Sequence, residues 1–296
     1  MTDHRPICDY EGSEYQKVFW EEGGRAYEDA AEAAALAKLL PASGNRLLEL
    51  GAGAGRNTPR YRGFDEIVLL DYSTTQLAQA RERLGDSPRY RYIAADVYHM
   101  PFMPGLFDAA TMIRTLHHLH DAPPIFHAIR ELLQKDAIFI LEFANKHNIK
   151  AIARWLLRKQ SWSPFSKEPV EFVALNYDFH PKAIREWLFA AQFAIERQLT
   201  VSHFRTGFLK ARVPAQTLAK WDNALQWTGD FVQLTPSVFL RSRAIGPSQT
   251  AAPGQFFCCP VCRTPLEDTP PQLTCQECGR SFPVVNGIYN FKIDQE

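Results

Sequence analysis

The chain has 296 residues, of which 46% are hydrophobic, 22% charged and 12% aromatic. This length fits one large catalytic domain with an appendage, and the composition excludes a disordered or fibrous protein. No run approaches the roughly eighteen apolar residues of a membrane span, and the first residues lack a basic region followed by an apolar run. We therefore expect no transmembrane segment, no export and a cytoplasmic location.

The formal net charge is zero, with 33 basic and 33 acidic residues, but the charges are unevenly distributed. Residues 1–145 carry 15 basic and 21 acidic groups, residues 146–243 carry 15 and 7, and residues 244–296 carry 3 and 5. The middle segment therefore has a net charge of +8, and it is also rich in Trp, Phe and Tyr. Such a segment is typical of a surface that meets an anionic partner, although a solvated basic face has the same composition.

Apolar periodicity in the first half of the chain alternates between the strand and helix repeats. We predict helix 28–40, strand 46–50, strand 67–70, helix 73–84, strand 90–94, strand 109–113, helix 124–133 and strand 137–143. Strands separated by helices in this way predict an α/β protein whose sheet is mostly parallel and covered on both faces.

The pattern changes after residue 143. We predict a basic amphipathic helix 148–159, a Trp-, Phe- and Pro-rich loop 161–178, helix 181–191, strand 193–204, helix 216–227 and strand 237–243, which brings the sheet to seven strands. Residues 246–255 read GPSQTAAPGQ, a composition typical of a flexible linker. The linker predicts a first domain over residues 1–245 and a second over residues 256–296.

A glycine loop follows the first strand, where residues 47–55 read LLELGAGAG. Glycine has no Cβ and tolerates positive φ, so such a loop lets backbone amides approach a ligand. A nicotinamide-dinucleotide loop expects G-x-G-x-x-G, and here the third glycine comes one residue early. A tight strand-to-helix turn is the structural alternative. Asp71, which closes the second strand, suits a ribose diol in either cofactor hypothesis.

Two further motifs distinguish these hypotheses: YIAADV, which contains Asp96, and FDAATMIRTLHHL on the fourth strand. With the glycine loop they resemble the class I S-adenosylmethionine-dependent methyltransferases over roughly residues 20–243. The resemblance implies a doubly wound, Rossmann-like fold, with Glu49 and the glycines at the methionine end of the cofactor. The cofactor-binding residues that it implies are Glu49, Gly51, Gly53, Gly55, Asp71, Tyr72, Asp96, Val97 and Arg114.

Histidines follow the fourth strand, where this family places residues that face the methyl acceptor. His117 and His118 are the candidate catalytic residues, because histidine titrates near neutrality and suits a general base. A base is needed only for a neutral acceptor, since the cofactor carries an activated methyl group. Capping of backbone groups is the alternative role for these side chains.

Two Cys-x-x-Cys pairs, Cys259 with Cys262 and Cys275 with Cys278, predict a structural tetrathiolate zinc site. Cys258 adjoins the first pair and is an alternative ligand to Cys259. Residues 256–296 resemble the small zinc-ribbon protein that activates methyltransferases of tRNA, rRNA and a translation release factor. About forty residues do not bury enough surface to fold alone. We therefore expect the ribbon, with net charge −2, to pack on the first domain, attracted by the basic segment.

Several acceptors fit these features. A small molecule is our first expectation, and a quinone-type lipophilic acceptor would suit a basic helix near residues 149–158 that rests on a membrane surface. The alternative is tRNA or rRNA, bound through the basic aromatic segment 146–243, since the fourth-strand motif also resembles the wobble-uridine methyltransferases of tRNA. A catalytically silent scaffold with a partner-binding ribbon is the non-enzymatic hypothesis.

Overall fold

The computed structural model describes residues 6–293. The strands of its first part are β1 (Gly44–Leu50), β2 (Phe64–Asp71), β3 (Tyr90–Ala94), β4 (Phe107–Met112), β5 (Leu133–Ala144), β6 (Val170–Val173), β7 (Asn176–Asp178), β8 (Phe193–Val201) and β9 (Ser237–Ala244). Those of the ribbon are β10 (Phe257–Cys258), β11 (Pro265–Leu266), β12 (Gln272–Thr274), β13 (Ser281–Val285) and β14 (Ile288–Asn290). The α-helices are α1 (Ala26–Leu39), α2 (Thr74–Leu84), α3 (Ala122–Leu132), α4 (Ile149–Leu156), α5 (Pro181–Ala190), α6 (Gly207–Lys210) and α7 (Ala215–Leu225).

The first part forms the predicted seven-stranded sheet, in the order β3-β2-β1-β4-β5-β9-β8. The five strands from β3 to β5 pair in parallel, and β9 is antiparallel to both of its neighbours. Leu47, Leu48 and Leu50 of β1 are all buried, as expected for a strand covered on both faces. The predicted mostly parallel, Rossmann-like fold is therefore confirmed.

The ribbon extends this sheet. β14 lies parallel beside β3, with Tyr289 opposite Ile93, and β13 and β12 continue the sheet to ten strands. Phe257 forms an antiparallel bridge with Phe102, and both are buried in the core that contains the central strands. The ribbon therefore packs on the first domain as expected, but at the β3 edge rather than on the basic segment. Strand pairing and apolar burial explain this position better than overall charge.

Two other predictions differ in detail. α4 is shorter than predicted, because Asn148 accepts a hydrogen bond from the Ala151 amide as its N-cap and the helix ends at Leu156. The predicted loop 161–178 contains a hairpin, β6 with β7. Its turn places Leu175 at φ +53°, and the Leu175 amide donates to the Glu171 carboxylate at 2.8 Å. This turn carries no glycine or asparagine at the left-handed position, so its sequence gave no turn signal.

Candidate functional site

A cleft of about 1070 Å³, including its open mouth, lies at the carboxyl ends of β1, β2, β3 and β4. Parallel α/β sheets bind their ligands at this edge. The predicted site residues that line the cleft are Glu49, Gly51, Gly53, Asp71, Tyr72, Asp96, Val97, Arg114 and His118. Gly55 and His117 are not among the lining residues that the structure describes.

The glycine loop forms the floor of the cleft in a conformation that favours glycine. Gly51 and Gly53 have φ values of +66° and +53°. A Cβ on Gly51 would lie 2.0 Å from the Thr115 hydroxyl, so β1 and β4 meet here without room for a side chain. The Asp71 carboxylate accepts hydrogen bonds from the backbone amides of Gly53 at 2.8 Å and Ser73 at 2.9 Å. A carboxylate has about four acceptor sites, so Asp71 can fix the loop and still accept from a diol.

Gly55, the third glycine of the loop, lies against α2. A Cβ at this position would lie 3.1 Å from Leu84 and 3.2 Å from Ala80, both on α2. Its φ is +70°. The third glycine therefore lets α2 pack closely against the loop, and the resemblance did not separate this role from ligand contact.

Glu49 is a buried carboxylate at the cleft wall. It accepts hydrogen bonds from the hydroxyls of Thr58 at 2.6 Å and Tyr61 at 3.2 Å. Burial raises the pKa of Glu49 to about 7, and these two hydrogen bonds only partly offset the effect. A cation bound in the cleft would favour the ionised carboxylate, so Glu49 fits a ligand that carries a positive charge.

Asp96 and Tyr72 lie on the ribbon side of the cleft. The Asp96 carboxylate accepts from the Tyr98 amide at 2.9 Å and lies 3.1 Å from Nδ1 of His99. The ammonium group of Lys292, two residues beyond β14, lies 5.2 Å from the centre of the Tyr72 ring. The ribbon therefore reaches the predicted cofactor residues directly.

Arg114 belongs to a charge network on the α1 side of the cleft. Its φ is +60°, its amide donates to Glu142 at 3.0 Å, and its guanidinium pairs with the buried Glu32 at 2.6 Å. Arg56 pairs with the other Glu32 oxygen at 2.8 Å and stacks 3.5 Å above the Trp20 ring. Burial alone would raise the pKa of Glu32, but Arg114 and Arg56 lower it. The network keeps these charges paired and fixes the Arg114 backbone where a non-glycine residue is strained.

The two candidate catalytic histidines differ in their hydrogen-bond partners. His118 Nδ1 lies 3.0 Å from the Leu175 carbonyl, and Nε2 lies 3.2 Å from the Tyr10 hydroxyl. A carbonyl only accepts, so Nδ1 carries the proton and Nε2 presents its lone pair. Burial lowers the pKa of His118, and the hydrogen bond to Leu175 opposes this effect only in part. His117 is half-buried beside it, and its buried Nδ1 atom has no hydrogen-bond partner within residues 6–293.

Residues 6–20, which we call the lid, cover the cleft, and no sequence motif predicted this role. Pro6, Ile7, Cys8, Tyr10, Tyr15, Gln16 and Trp20 all line the cleft. Glu11 anchors the lid to the start of α2, accepting from the Thr74 amide at 2.9 Å and the Thr75 amide at 3.0 Å. Four aromatic residues in positions 10–20 were the available signal.

The four predicted zinc ligands lie together in the ribbon. Their Sγ atoms, from Cys259, Cys262, Cys275 and Cys278, are all within 4.8 Å of one another. A tetrahedral zinc thiolate site with Zn–S bonds of about 2.3 Å has sulfurs about 3.8 Å apart, so the set fits zinc. The Cys258 thiol instead donates to the Phe102 carbonyl at 3.1 Å, on the interface with the first domain. The geometry therefore favours Cys259 over Cys258.

No helix in the described part of the chain is long and apolar enough to cross a bilayer.

Comparisons with known proteins match both parts of the chain. Residues 48–141 match a methyltransferase domain model, and residues 255–287 match the model of Trm112p-like proteins. A demethylmenaquinone methyltransferase of Clavibacter sepedonicus is 24% identical over 73% of this chain and 79% of its own length. The pyochelin synthetase PchF of Pseudomonas aeruginosa is 32% identical over 44% of this chain but only 8% of its own length.

Solved structures show the same fold. A putative S-adenosylmethionine-dependent methyltransferase from Listeria monocytogenes has a TM-score of 0.54 at 16% identity, over 74% of this chain and 99% of its own. A chain of the complex between the Haloferax volcanii Trm112 methyltransferase activator and a putative methyltransferase has a TM-score of 0.55 at 14% identity, over 78% of this chain and 96% of its own. Residues 48–141 therefore match a methyltransferase domain, residues 255–287 match a Trm112p-like domain, and the chain has the fold of solved S-adenosylmethionine-dependent methyltransferases.

Proposed function

We propose that this protein transfers the methyl group of S-adenosylmethionine to a small, largely apolar acceptor that carries a hydroxyl or a similarly acidic group. One observation carries the proposal: one covered cleft is lined by the carboxylates of Glu49, Asp71 and Asp96 and by a histidine whose Nε2 is the unprotonated ring nitrogen. When bound, the cofactor supplies a methyl group activated by a sulfonium ion. The residues of the chain then bind, orient and exclude water.

The carboxylates suit the three parts of this cofactor. Glu49, buried near the floor, would compensate the positive charge of the sulfonium or the ammonium group. Asp71 would accept from the ribose hydroxyls with the lone pairs that its two backbone contacts leave. Asp96 and Val97 would contact the adenine edge, beside Tyr72. These roles come from the family resemblance, and the lining of the cleft supports them.

His118 would be the general base. Its Nε2 would accept the proton of the acceptor hydroxyl, and Leu175 holds the ring in the tautomer that permits this. Tyr10 would close the cleft above the ring, with its hydroxyl donating to Nε2 until an acceptor replaces it. His117 does not line the cleft and would not take part.

The relatives support an acceptor of this kind. Besides the Clavibacter enzyme, a 2-phytyl-1,4-naphtoquinone methyltransferase of Trichormus variabilis is 28% identical over 38% of this chain and 54% of its own length. The names of both relatives specify a quinone. The Trm112p-like domain favours a second candidate, a component of the translation machinery such as tRNA or rRNA, which the basic segment 146–243 would contact.

The first experiment is calorimetry with the zinc-loaded full-length protein. S-adenosylmethionine should bind and NAD should not, and Asp71→Ala should weaken binding by about 1–3 kcal/mol through lost hydrogen bonds to the ribose. Binding of NAD without any response to S-adenosylmethionine would refute the proposal.

The second experiment identifies the acceptor and the base. Labelled methyl groups should enter the small-molecule fraction of a cell extract, whereas labelling of RNA would favour the second candidate. With the acceptor in hand, His118→Gln should lower kcat by about 10²–10⁴-fold while the dissociation constant of the cofactor stays constant. His117→Gln is the matched control, because His117 is the adjacent histidine and does not line the cleft. Equal loss of activity in both variants would remove the base assignment.

A further inference from the structure

α4 is an amphipathic helix whose apolar side faces solvent. Ala151 is its one buried residue, whereas Ile149 is 63% exposed and Leu156 is 66% exposed. At about 100° per residue, Ile149 and Leu156 lie on the side of the helix opposite Ala151. Leu157, the residue after the helix, is 65% exposed. A helix that belonged only to the core of this domain would turn this side inward.

Other exposed apolar residues lie on elements at the same edge of the sheet. α4 follows the carboxyl end of β5, and the Lys150 ammonium donates to the Arg205 carbonyl beyond the carboxyl end of β8. Phe172 and Val173 are 59% and 60% exposed in the hairpin whose turn contacts His118. Together with Phe208 on α6, 65% exposed, these side chains form what we call the apolar rim, Ile149, Leu156, Leu157, Phe172, Val173 and Phe208.

The charge on the helical side of the rim has one sign, whereas the hairpin side carries Glu168 and Glu171. Residues 149–167 contain five basic side chains and no acidic one: Lys150, Arg154, Arg158, Lys159 and Lys167. Basic groups beside exposed apolar side chains are complementary to an anionic bilayer, in which phosphates meet the cations and acyl chains meet the apolar residues. Two copies of the chain would repel each other at this face.

The side chains of α4 also argue against nucleic acid as the occupant of this helix. Single-stranded RNA is held by aromatic rings that stack on bases. Here the two most exposed large apolar residues of α4 are the aliphatic Ile149 and Leu156, and the Trp155 ring packs edge-on against Phe165 with centroids 5.4 Å apart. Aliphatic side chains have no face for stacking, but they insert readily between lipid headgroups.

From this arrangement we infer that the apolar rim and the basic residues 149–167 dock the protein on an anionic lipid surface. Docking turns the carboxyl edge of the sheet, with the mouth of the cleft, toward the bilayer. An acceptor dissolved in the membrane would then reach His118 without crossing bulk water. This last consequence rests on the proposed function, whereas docking itself does not.

The test is sedimentation of the full chain with vesicles, in the absence of cofactor. Vesicles of phosphatidylglycerol and phosphatidylcholine should bind the protein, vesicles of phosphatidylcholine alone should bind it weakly, and salt should weaken binding. Leu156→Ser with Leu157→Ser should lower the partition coefficient at least about tenfold, because two leucine side chains no longer enter the interface. Arg154→Glu with Arg158→Glu should lower it on anionic vesicles only.

The control is Val285→Ser, which removes a 60% exposed apolar side chain from β13, away from the rim. All variants should keep the melting temperature and the cofactor affinity of the parent. Absence of binding to anionic vesicles, or equal binding by the leucine variant and the parent, overturns the inference. The inference is also overturned if the parent protein binds a single-stranded RNA oligonucleotide but no vesicles, and the variants lose the RNA binding. Cofactor affinity measured on the same samples tests the proposed function separately.

Discussion

Glu11 anchors the lid, and its removal should open the cleft. The carboxylate accepts from two amides at the start of α2 and from the Thr74 hydroxyl at 2.9 Å, and Lys292 lies 3.6 Å away. Partial burial opposes ionisation, but hydrogen bonds from Thr75 and Thr74 lower the pKa of Glu11 to about 2. Because this pKa is depressed, the contribution is complete above pH about 4.5 and is lost as the pH falls toward 2.

The magnitude follows from the exposure of the side chain. Hydrogen bonds to a charged group are each worth about 1.5–3 kcal/mol when buried. The Glu11 side chain is 40% exposed, so solvent screening reduces their sum to about 1–2 kcal/mol. Glu11→Ala should therefore raise the opening equilibrium of the lid about 5- to 30-fold at neutral pH.

Hydrogen exchange measures this opening directly. The Val18 amide donates to the Glu14 carbonyl and the Glu22 amide to the Lys17 carbonyl, so both report on lid structure. Their exchange should accelerate by the stated factor in Glu11→Ala, and the cofactor dissociation constant should rise by no more than that factor. Glu14→Ala, a change of an exposed carboxylate on the same segment, is the control. Unchanged protection in Glu11→Ala would show that other contacts, such as the hydrogen bonds from the Gln76 and Gln79 side chains to Ser13, hold the lid.

Three further predictions concern the cofactor charge, the ribbon interface and the metal. At pH 6, cofactor binding should release a proton, because burial raises the pKa of Glu49 to about 7 in the unliganded cleft and a bound cation favours the carboxylate. Calorimetry in two buffers with different ionisation enthalpies should show the release, and Glu49→Gln should abolish it. Arg263 has a φ of +62° and donates to the carbonyls of Met100 at 2.7 Å and Phe102 at 3.1 Å. Arg263→Ala should lower stability by about 2 kcal/mol, and Arg263→Gly by about 1 kcal/mol less because glycine relieves the strain; denaturant unfolding would contradict this if the two variants were equal. Replacing both Cys275 and Cys278 with Ser should abolish zinc binding and lower the melting temperature, whereas Cys258→Ser should retain one zinc per chain by elemental analysis.

The sequence predicted what depends on local pattern. The parallel strands follow from their apolar runs, and the tetrathiolate cluster follows from its Cys-x-x-Cys spacing. The lid could not be predicted in this way, because the contact between Tyr10 and His118 joins residues 108 positions apart. No periodicity marks such a contact, and four aromatic residues in a short segment indicate burial without naming a partner. The sequence likewise could not distinguish the roles of His117 and His118, because adjacent identical residues differ only in the surroundings that the fold gives each of them.

The position of the ribbon has a physical reason that neither part of the chain shows alone. Without β14, β3 would be the edge of the sheet, with unpaired backbone groups and an exposed flank. Without the first domain, the ribbon could not bury Phe257, which is fully enclosed between Phe102, Tyr289 and Phe291. Pairing of β14 with β3 satisfies the backbone groups of β3 and accompanies the burial of Phe257. Because β14 runs parallel to β3, the chain continues toward the carboxyl edge of the sheet. Lys292 therefore reaches Glu11 and Tyr72 as a consequence of strand direction, which couples the ribbon with its cysteine cluster to the lid over the cleft.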